Sequence, residues 1–486
     1  MFRYEEFEEE DFLLFLHQGL FDEDINTVVS KYPFYSAKIQ FELIKYLRKR
    51  KPLNLSLKTL SKALSVSQKD ARIILQAEGK EFKIPLSSDE ISEEGQLIRA
   101  LVIPGTSKII TNNEFVKRAL VEIKKFLKTN FAVFFEKSFT GKSFMLPLAT
   151  ALYIKNIPED LVFTGKINSS GEIFEVDNID KKLSLCQRLG YRLCVPSQVG
   201  HINTIKVFLE KKKWSIPLYI TCEDKKELQN FLKDIPEEKT SEEISYFDGL
   251  DIFYGIKKED LCLSTGQLKT SEDFIKACYN FYQTKEFVKI RLSGEKVFHI
   301  GIRGPTSLAF ALGIVFGSQD PFIIYHYHEG KYYPVKVLNP REIKERLDSY
   351  TAVKYTLEKR GDDLCILFRF AHHEMLADVK KYAESFLNNP SFLILSHSSS
   401  GNVPLEEFKK VSQEAGSIIQ DIRSKHSFKS FHFFFSSPVV IAFMLGVIFG
   451  HYSEGAIYNY QKAESNYLKV INLSDLRKIR EGDVRF

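Results

Sequence analysis

The feature that most restricts this chain is a repeat in its C-terminal half. Phe298-His299 followed by IGIRGPTSLAFALGIVFG matches Phe431-His432 followed by FFFSSPVVIAFMLGVIFG. Pro305/Pro438, Ala309/Ala442, Phe310/Phe443, Leu312/Leu445, Gly313/Gly446, Phe316/Phe449 and Gly317/Gly450 share one offset of 133 residues. The same offset carries Tyr325 onto Tyr458 and Tyr327 onto Tyr460. So many positions in one register mean a duplicated unit. Each copy reads as strand, Gly/Ser loop, helix, strand, Pro-headed helix, strand. Uncharged strands followed by helices predict a parallel sheet covered on both faces, hence two fused Rossmann-like units. In such sheets ligands sit beyond the carboxyl ends of the strands. Those ends hold Arg303-Gly304-Pro305-Thr306-Ser307 in one copy and Ser436-Ser437-Pro438 in the other. Neither copy contains GxGxxG, which argues against a dinucleotide cofactor.

Composition narrows the class further. A length of 486 residues allows two to four domains. A net charge of +5, from 68 basic and 63 acidic residues, argues against direct nucleic-acid binding, which usually needs a concentrated basic field. Cys186, Cys194, Cys222, Cys262, Cys278 and Cys365 lack CxxC or ladder spacing. They exclude a cysteine-rich zinc module and a disulfide scaffold, so no metal is expected, and they fit a cytoplasmic protein. The acidic opening MFRYEEFEEEDF lacks the positive region of a secretory signal. Phe433 to Gly450 is uncharged over a membrane-helix length. Ser436-Ser437-Pro438 interrupts it, however, and predicts a strand, a turn and a buried helix instead of a membrane span.

The paired "FH…P…AF.LG…FG…Y.Y" pattern resembles the SAVED domain, a fusion of two CARF-like halves found in CRISPR and CBASS antiviral defence. The resemblance covers residues 244–486, with halves of about 244–345 and 346–486. It implies a cyclic oligoadenylate or cyclic trinucleotide ligand, with cyclic tetra-adenylate the expected ring, acting as activator without a cofactor. It also implies ligand-induced self-association through SAVED domains. Backbone N–H groups at helix N-termini and small hydroxyls suit phosphates. The candidate ligand-binding residues are Arg303, Gly304, Thr306, Ser307, Arg369, Ser398, Ser399, Gly401, Ser436 and Ser437. For any one of them a turn or solvated-surface role stays open.

Residues 91–235 form a second recognisable stretch. Gly141-Lys142-Ser143 has the ending of a phosphate-binding loop, but Glu136 stands where that motif needs a glycine. The stretch instead resembles the proteolytic domain of Lon through PGTSKIITN, the ATAL helix, the TGKINSSGEIFEV hairpin and IDKKL…LGYRLCVP. Counting back from Ala149-Thr150-Ala151-Leu152, Ser143 takes the position of the family's nucleophilic serine. The family uses a lysine amine as base, and a desolvated lysine can do this near neutral pH. At the family lysine's position this chain has Asp180, with Lys181 and Lys182 next. Two readings stay open: a Ser143 endopeptidase served by Lys181 or Lys182, or an inactive site. Phe144 and Met145 also replace small residues after Ser143, adding bulk that would hinder an extended substrate.

Residues 1–90 are helical by pattern. Leu55 to Leu86 reads as a small helix-turn-helix with a following strand, in the manner of a winged helix. Lys69 and Arg72 are few cations for phosphate contacts, so packing or partner binding is favoured. The polar tract 236–243 reads as a linker. The expected architecture is thus multidomain α/β: a helical, winged-helix-like N-terminus, an α+β Lon-like domain, and a C-terminal pair of CARF-like units. This order resembles the Lon-SAVED effectors of type III CRISPR defence. That resemblance implies a protein cut by the Ser143 site on ligand binding, the cut partner being encoded nearby. The alternative is a non-enzymatic sensor in which a degenerate Lon-like domain regulates a partner.

Overall fold

The computed structural model describes residues 8–52, 54–87, 95–223, 228–235, 243–372, 374–399, 402–462 and 464–483. It divides into two compact units. Met1–Glu210 with Lys239–Gly255 make the first, and Lys211–Glu238 with Ile256–Phe486 the second.

The first unit opens with helices α1 (Glu9–Gln18), α2 (Ile25–Ser30), α3 (Ala37–Arg50), α4 (Leu57–Ala63) and α5 (Gln68–Gln76). Ser36, Ser56 and Ser67 start α3, α4 and α5 by accepting a backbone N–H three residues on. Strands β1 (Lys80–Leu86), β2 (Gln96–Pro104) and β3 (Ile110–Thr111) follow, then α6 (Lys117–Leu127) and β4 (Phe131–Phe135). They form one sheet in the order β1-β2-β4-β3. The expected boundary near residue 90 therefore falls between two strands paired along their length, Lys80 with Val102 through Leu86 with Gln96. Helix α7 (Met145–Tyr153), strands β5 (Leu161–Phe163), β6 (Lys166–Ile167) and β7 (Ile173–Phe174), helix α8 (Ile179–Arg188), strand β8 (Arg192–Cys194) and helix α9 (Ile202–Leu209) complete the run. The hairpin β6–β7 is antiparallel, and β5 pairs in parallel with β8.

The chain then enters the second unit with β9 (Lys213–Thr221) and α10 (Leu228–Asp234), and returns to the first for α11 (Tyr246–Tyr254). From β10 (Cys262–Ser264) it stays in the second unit: α12 (Ser271–Arg291), β11 (Glu295–Arg303), α13 (Thr306–Phe316), β12 (Phe322–His328) and β13 (Lys331–Val337). The second copy adds β14 (Val353–Glu358), β15 (Asp363–Arg369), α14 (Leu376–Phe386), β16 (Ser391–His397), α15 (Phe408–Lys425), β17 (Ser430–Ser436), α16 (Val439–Phe449), β18 (Gly455–Gln461), β19 (Asn466–Asn472) and α17 (Leu473–Glu481).

The two sheets have matching orders, β10-β9-β11-β12-β13 and, inside the edge strand β14, β16-β15-β17-β18-β19. In each, the first four strands are parallel and the last is antiparallel. Strand β9 lies in the sequence assigned to the 91–235 domain, yet it pairs with β11 from Lys213–Glu295 to Thr221–Arg303. Its run Trp214-Ser215-Ile216-Pro217-Leu218-Tyr219-Ile220 is apolar enough to be buried between two neighbours. The second compact unit thus includes residues ahead of 244. Phe433–Gly450 is the end of β17 followed by α16. Among the described residues no helix is long and apolar enough to cross a membrane.

Candidate functional site

Helices α13 and α16 form the seam between the copies. A Cβ on Gly313 would lie 2.0 Å from the Phe443 carbonyl oxygen, and one on Gly446 would lie 2.0 Å from that of Phe310. At the first turns Thr306 Oγ1 donates to the Ser437 carbonyl at 3.2 Å. Equivalent residues meet from first turn to last, so the helices run parallel and their N-termini point the same way. The carboxyl ends of β11 and β17, which lead into them, therefore converge at one end of the unit.

The start of α13 is capped by Pro305 and that of α16 by Pro438, and neither has a side-chain cap. Two helix N-termini side by side concentrate backbone N–H donors and positive dipole ends at this point. Ser307 Oγ donates to Asn459 Oδ1 at 2.9 Å, tying the start of α13 to β18. A Cβ on Gly304 would lie 2.8 Å from Cys222 Sγ, so glycine lets the β11–α13 turn pass close to the end of β9.

The last rung of each sheet carries the charge. Arg303 faces Thr221 across β11 and β9, and Arg369 faces Ser436 across β15 and β17. Each copy thus supplies one guanidinium and one hydroxyl on the same rung, with the strands exchanged. Arg303 Nη2 donates to Glu223 Oε2 at 2.9 Å, and its guanidinium carbon lies 4.6 Å from the Tyr327 ring centroid. Arg369 Nη2 is ion-paired to Glu374. Two polar atoms here are buried with no hydrogen-bond partner: Arg303 Nη1 and Ser436 Oγ, the latter on a residue only 7% exposed. A buried orphan donor and a buried orphan hydroxyl each cost stability unless a ligand meets them.

Of the other residues expected here, Ser398 and Ser399 follow β16. Ser398 N–H donates to the Ala352 carbonyl at 2.8 Å. Ser399 Oγ shares a 2.8 Å hydrogen bond with His397 Nδ1, and His397 Nε2 meets Glu407 Oε2 at 2.6 Å. Their hydroxyl and imidazole are therefore already engaged with one another. Gly401 lies outside the described residues. Thr221, Glu223 and Glu374 carry no signal of their own in the sequence. Only the strand register brings them to the arginines.

In the first unit Ser143 is half-buried in the loop before α7. Its carbonyl accepts from Gly165 N–H at 3.1 Å, while Gly165's own carbonyl accepts from Leu146 N–H at 3.0 Å. Phe144 and Met145 are buried, Phe144 against Phe135 and Phe139. Their bulk therefore fills the core, which removes the expected hindrance to an extended substrate. Glu136, at the place of the missing loop glycine, is committed to Arg99 through Nη2 at 2.6 Å and the backbone N–H at 2.9 Å.

Lys182 is 4% exposed and donates to the Asp177 carbonyl at 2.7 Å. Burial lowers its pKa, and the Asp177 carboxylate only partly opposes this. Lys181 and Asp180 are exposed, Asp180 in the first turn of α8 where a carboxylate complements the helix dipole.

Comparison with known proteins bears on the second unit. Residues 282–473 match the model of the SAVED family, described as the SMODS-associated sensor domain fused to various effectors. This stretch is a SAVED domain, and it lies within the second compact unit. No curated protein matches the chain. Among solved structures it is similar to the Cap4 SAVED/CARF-domain receptor of Acinetobacter baumannii determined with the cyclic trinucleotide 3'3'3'-cAAA. The identity there is 14% and the TM-score 0.37, covering 81% of this chain and 94% of that one. The Moraxella osloensis Cap4 receptor gives 13% identity and a TM-score of 0.35, with the same coverage.

Proposed function

We propose that this chain is a cyclic-oligonucleotide-activated effector of antiviral defence. A cyclic oligoadenylate binds at the convergent ends of β11 and β17, and the first unit then cuts a specific partner protein. The observation that carries the sensor half is the arrangement at that end: two parallel helix N-termini, one arginine from each copy, and the orphan Ser436 hydroxyl. Together these present cations, N–H donors and a hydroxyl to phosphates spaced around a ring.

The effector half rests on Ser143 and Lys182. Serine attack on a peptide carbonyl needs a base that is neutral near pH 7, and burial moves the Lys182 ammonium in that direction. Lys182 is thus the better base of the two lysines. A second reading has its own support. Asp180 stands at the lysine position of the family, and Lys182 is bonded to the Asp177 carbonyl. Under that reading the first unit is a scaffold that changes partner binding.

Calorimetry with cyclic tri-, tetra- and hexa-adenylate tests the sensor. One ring should bind, and Ser436→Ala and Arg303→Gln should each weaken it by about tenfold, the loss of one charge-assisted or buried hydrogen bond. Incubation with proteins encoded nearby tests the effector. A ligand-dependent cleavage product should vanish in Ser143→Ala and in Lys182→Ala but persist in Lys181→Ala. Cleavage in Ser143→Ala would remove the assignment, and ligand-dependent partner binding without cleavage would establish the scaffold reading.

A further inference from the structure

Both arginines of the candidate site are held by a glutamate, and the two glutamates are placed alike. Glu223 follows β9 and Glu374 follows β15, the corresponding strands of the two copies. The arginines are not placed alike: Arg303 ends β11, whereas Arg369 ends β15. The carboxylate has kept its place after the same strand in each copy while the cation it meets sits on different strands.

Both carboxylates reach in from solvent, Glu223 being 67% and Glu374 66% exposed, while the arginines are 22% and 30% exposed. Each carboxylate therefore holds one edge of a more buried guanidinium and can swing away at small cost, since an exposed ion pair is worth little. A phosphate and a carboxylate compete for the same guanidinium edge, because both accept its parallel N–H donors. Glu223 is fixed at its backbone, where its N–H donates to Thr221 Oγ1 at 3.0 Å. Glu374 Oε1 also accepts from the Leu376 N–H at 3.3 Å, at the start of α14.

We infer that Glu223 and Glu374 are internal competitors that set the affinity of the site: each occupies an arginine edge that a ligand phosphate must take from it. This rests on the ligand reading above. A ring that presents phosphates to both arginines displaces both carboxylates in one event, whereas an isolated phosphate displaces only one. The displaced carboxylates stay nearby and repel the ligand, so the competition raises the concentration at which the protein responds.

The test compares the 486-residue chain with its Glu223→Gln, Glu374→Gln and double variants, using cyclic triadenylate and inorganic pyrophosphate as probes. Glutamine keeps the acceptor oxygen that Leu376 uses and removes the charge. Each single change should tighten binding about threefold and the pair about tenfold, as for two separate exposed ion pairs. Tighter pyrophosphate binding without any cyclic triadenylate binding would support the competitors and count against the ligand reading. Unchanged or weaker binding of both probes in all three variants, with melting curves like the wild type, would overturn the inference.

Discussion

A buried histidine gives the residue scale its sharpest test. His432 Nδ1 bonds the Tyr458 hydroxyl at 2.9 Å, and its counterpart His299 Nδ1 bonds Tyr325 at 2.8 Å. The offset that relates the sequences also relates these two core hydrogen bonds. Burial pushes the His432 pKa down to about 4, with Lys469 acting in the same direction and Asp363 against it. The folded state therefore keeps a neutral ring, while the unfolded chain takes up a proton below the ordinary value of 6.5. Stability from this group is complete above pH 6.5 and is lost as pH falls toward 4, up to about 3 kcal/mol. His451, held down to about 4 by burial and then by Arg480 and Arg477, adds in the same direction. The melting temperature should thus fall steeply between pH 6.5 and 4.5, and His432→Gln should flatten the slope. An equal slope in that variant would show that other groups set the acid limit.

At the scale of elements, the seam helices show what a repeat does to side-chain choice. Alanine normally stabilises a helix interior by about 1 kcal/mol over glycine. At Gly313 or Gly446 the added methyl would instead strike a backbone carbonyl of the facing helix. Gly313→Ala and Gly446→Ala should each lower stability by about 2 kcal/mol, seen as a lower urea midpoint, and their sum should fall short of additive because they open the same seam. Additive losses would mean that the two contacts are independent. These glycines, Pro305/Pro438 and the strands beside them were legible in the sequence because both copies are bound by the same close packing. Strand β9 was not legible as part of the repeat. The first copy carries the segment 239–255 between β9 and β10, whereas β15 reaches β16 through α14 alone, so the constant offset breaks there. The candidate site was half visible for the same reason. Arg303, Arg369 and Ser436 end apolar strands and stand out, but Glu223 and Glu374 lie in loops whose partners are fixed only by strand register. Nor does sequence reveal burial at the level of one side chain, which is what separates Lys182 from Lys181.

For the molecule as a whole, the path of the chain suggests how ligand binding could act on the first unit. The backbone passes between the units after Glu210, after Glu238 and after Gly255. The first passage leads from α9 into β9, which ends at Thr221, on the rung of Arg303. The last leads from α11 toward β10, the other neighbour of β9. Within the first unit α9 and α11 are locked together: Tyr254 Oη donates to the Phe208 carbonyl at 3.0 Å, and the Phe208 and Phe253 rings lie 5.3 Å apart. A Cβ on Gly249 would come within 2.1 Å of the Phe208 ring, so the pair has no slack. A packed pair of helices moves as one body. Ordering of β9 and β10 by ligand should therefore reach both helices through the covalent chain. Hydrogen exchange with saturating cyclic triadenylate should slow at 202–209 and 246–254 as well as around Thr221 and Arg303. In Arg303→Gln both effects should need about tenfold more ligand to appear, whereas Ser143→Ala should keep them at the wild-type concentration, because that change removes the proposed nucleophile and leaves the path intact. Protection confined to the second unit, 211–238 and 256–486, would show that binding energy does not travel along these strands into α9 and α11.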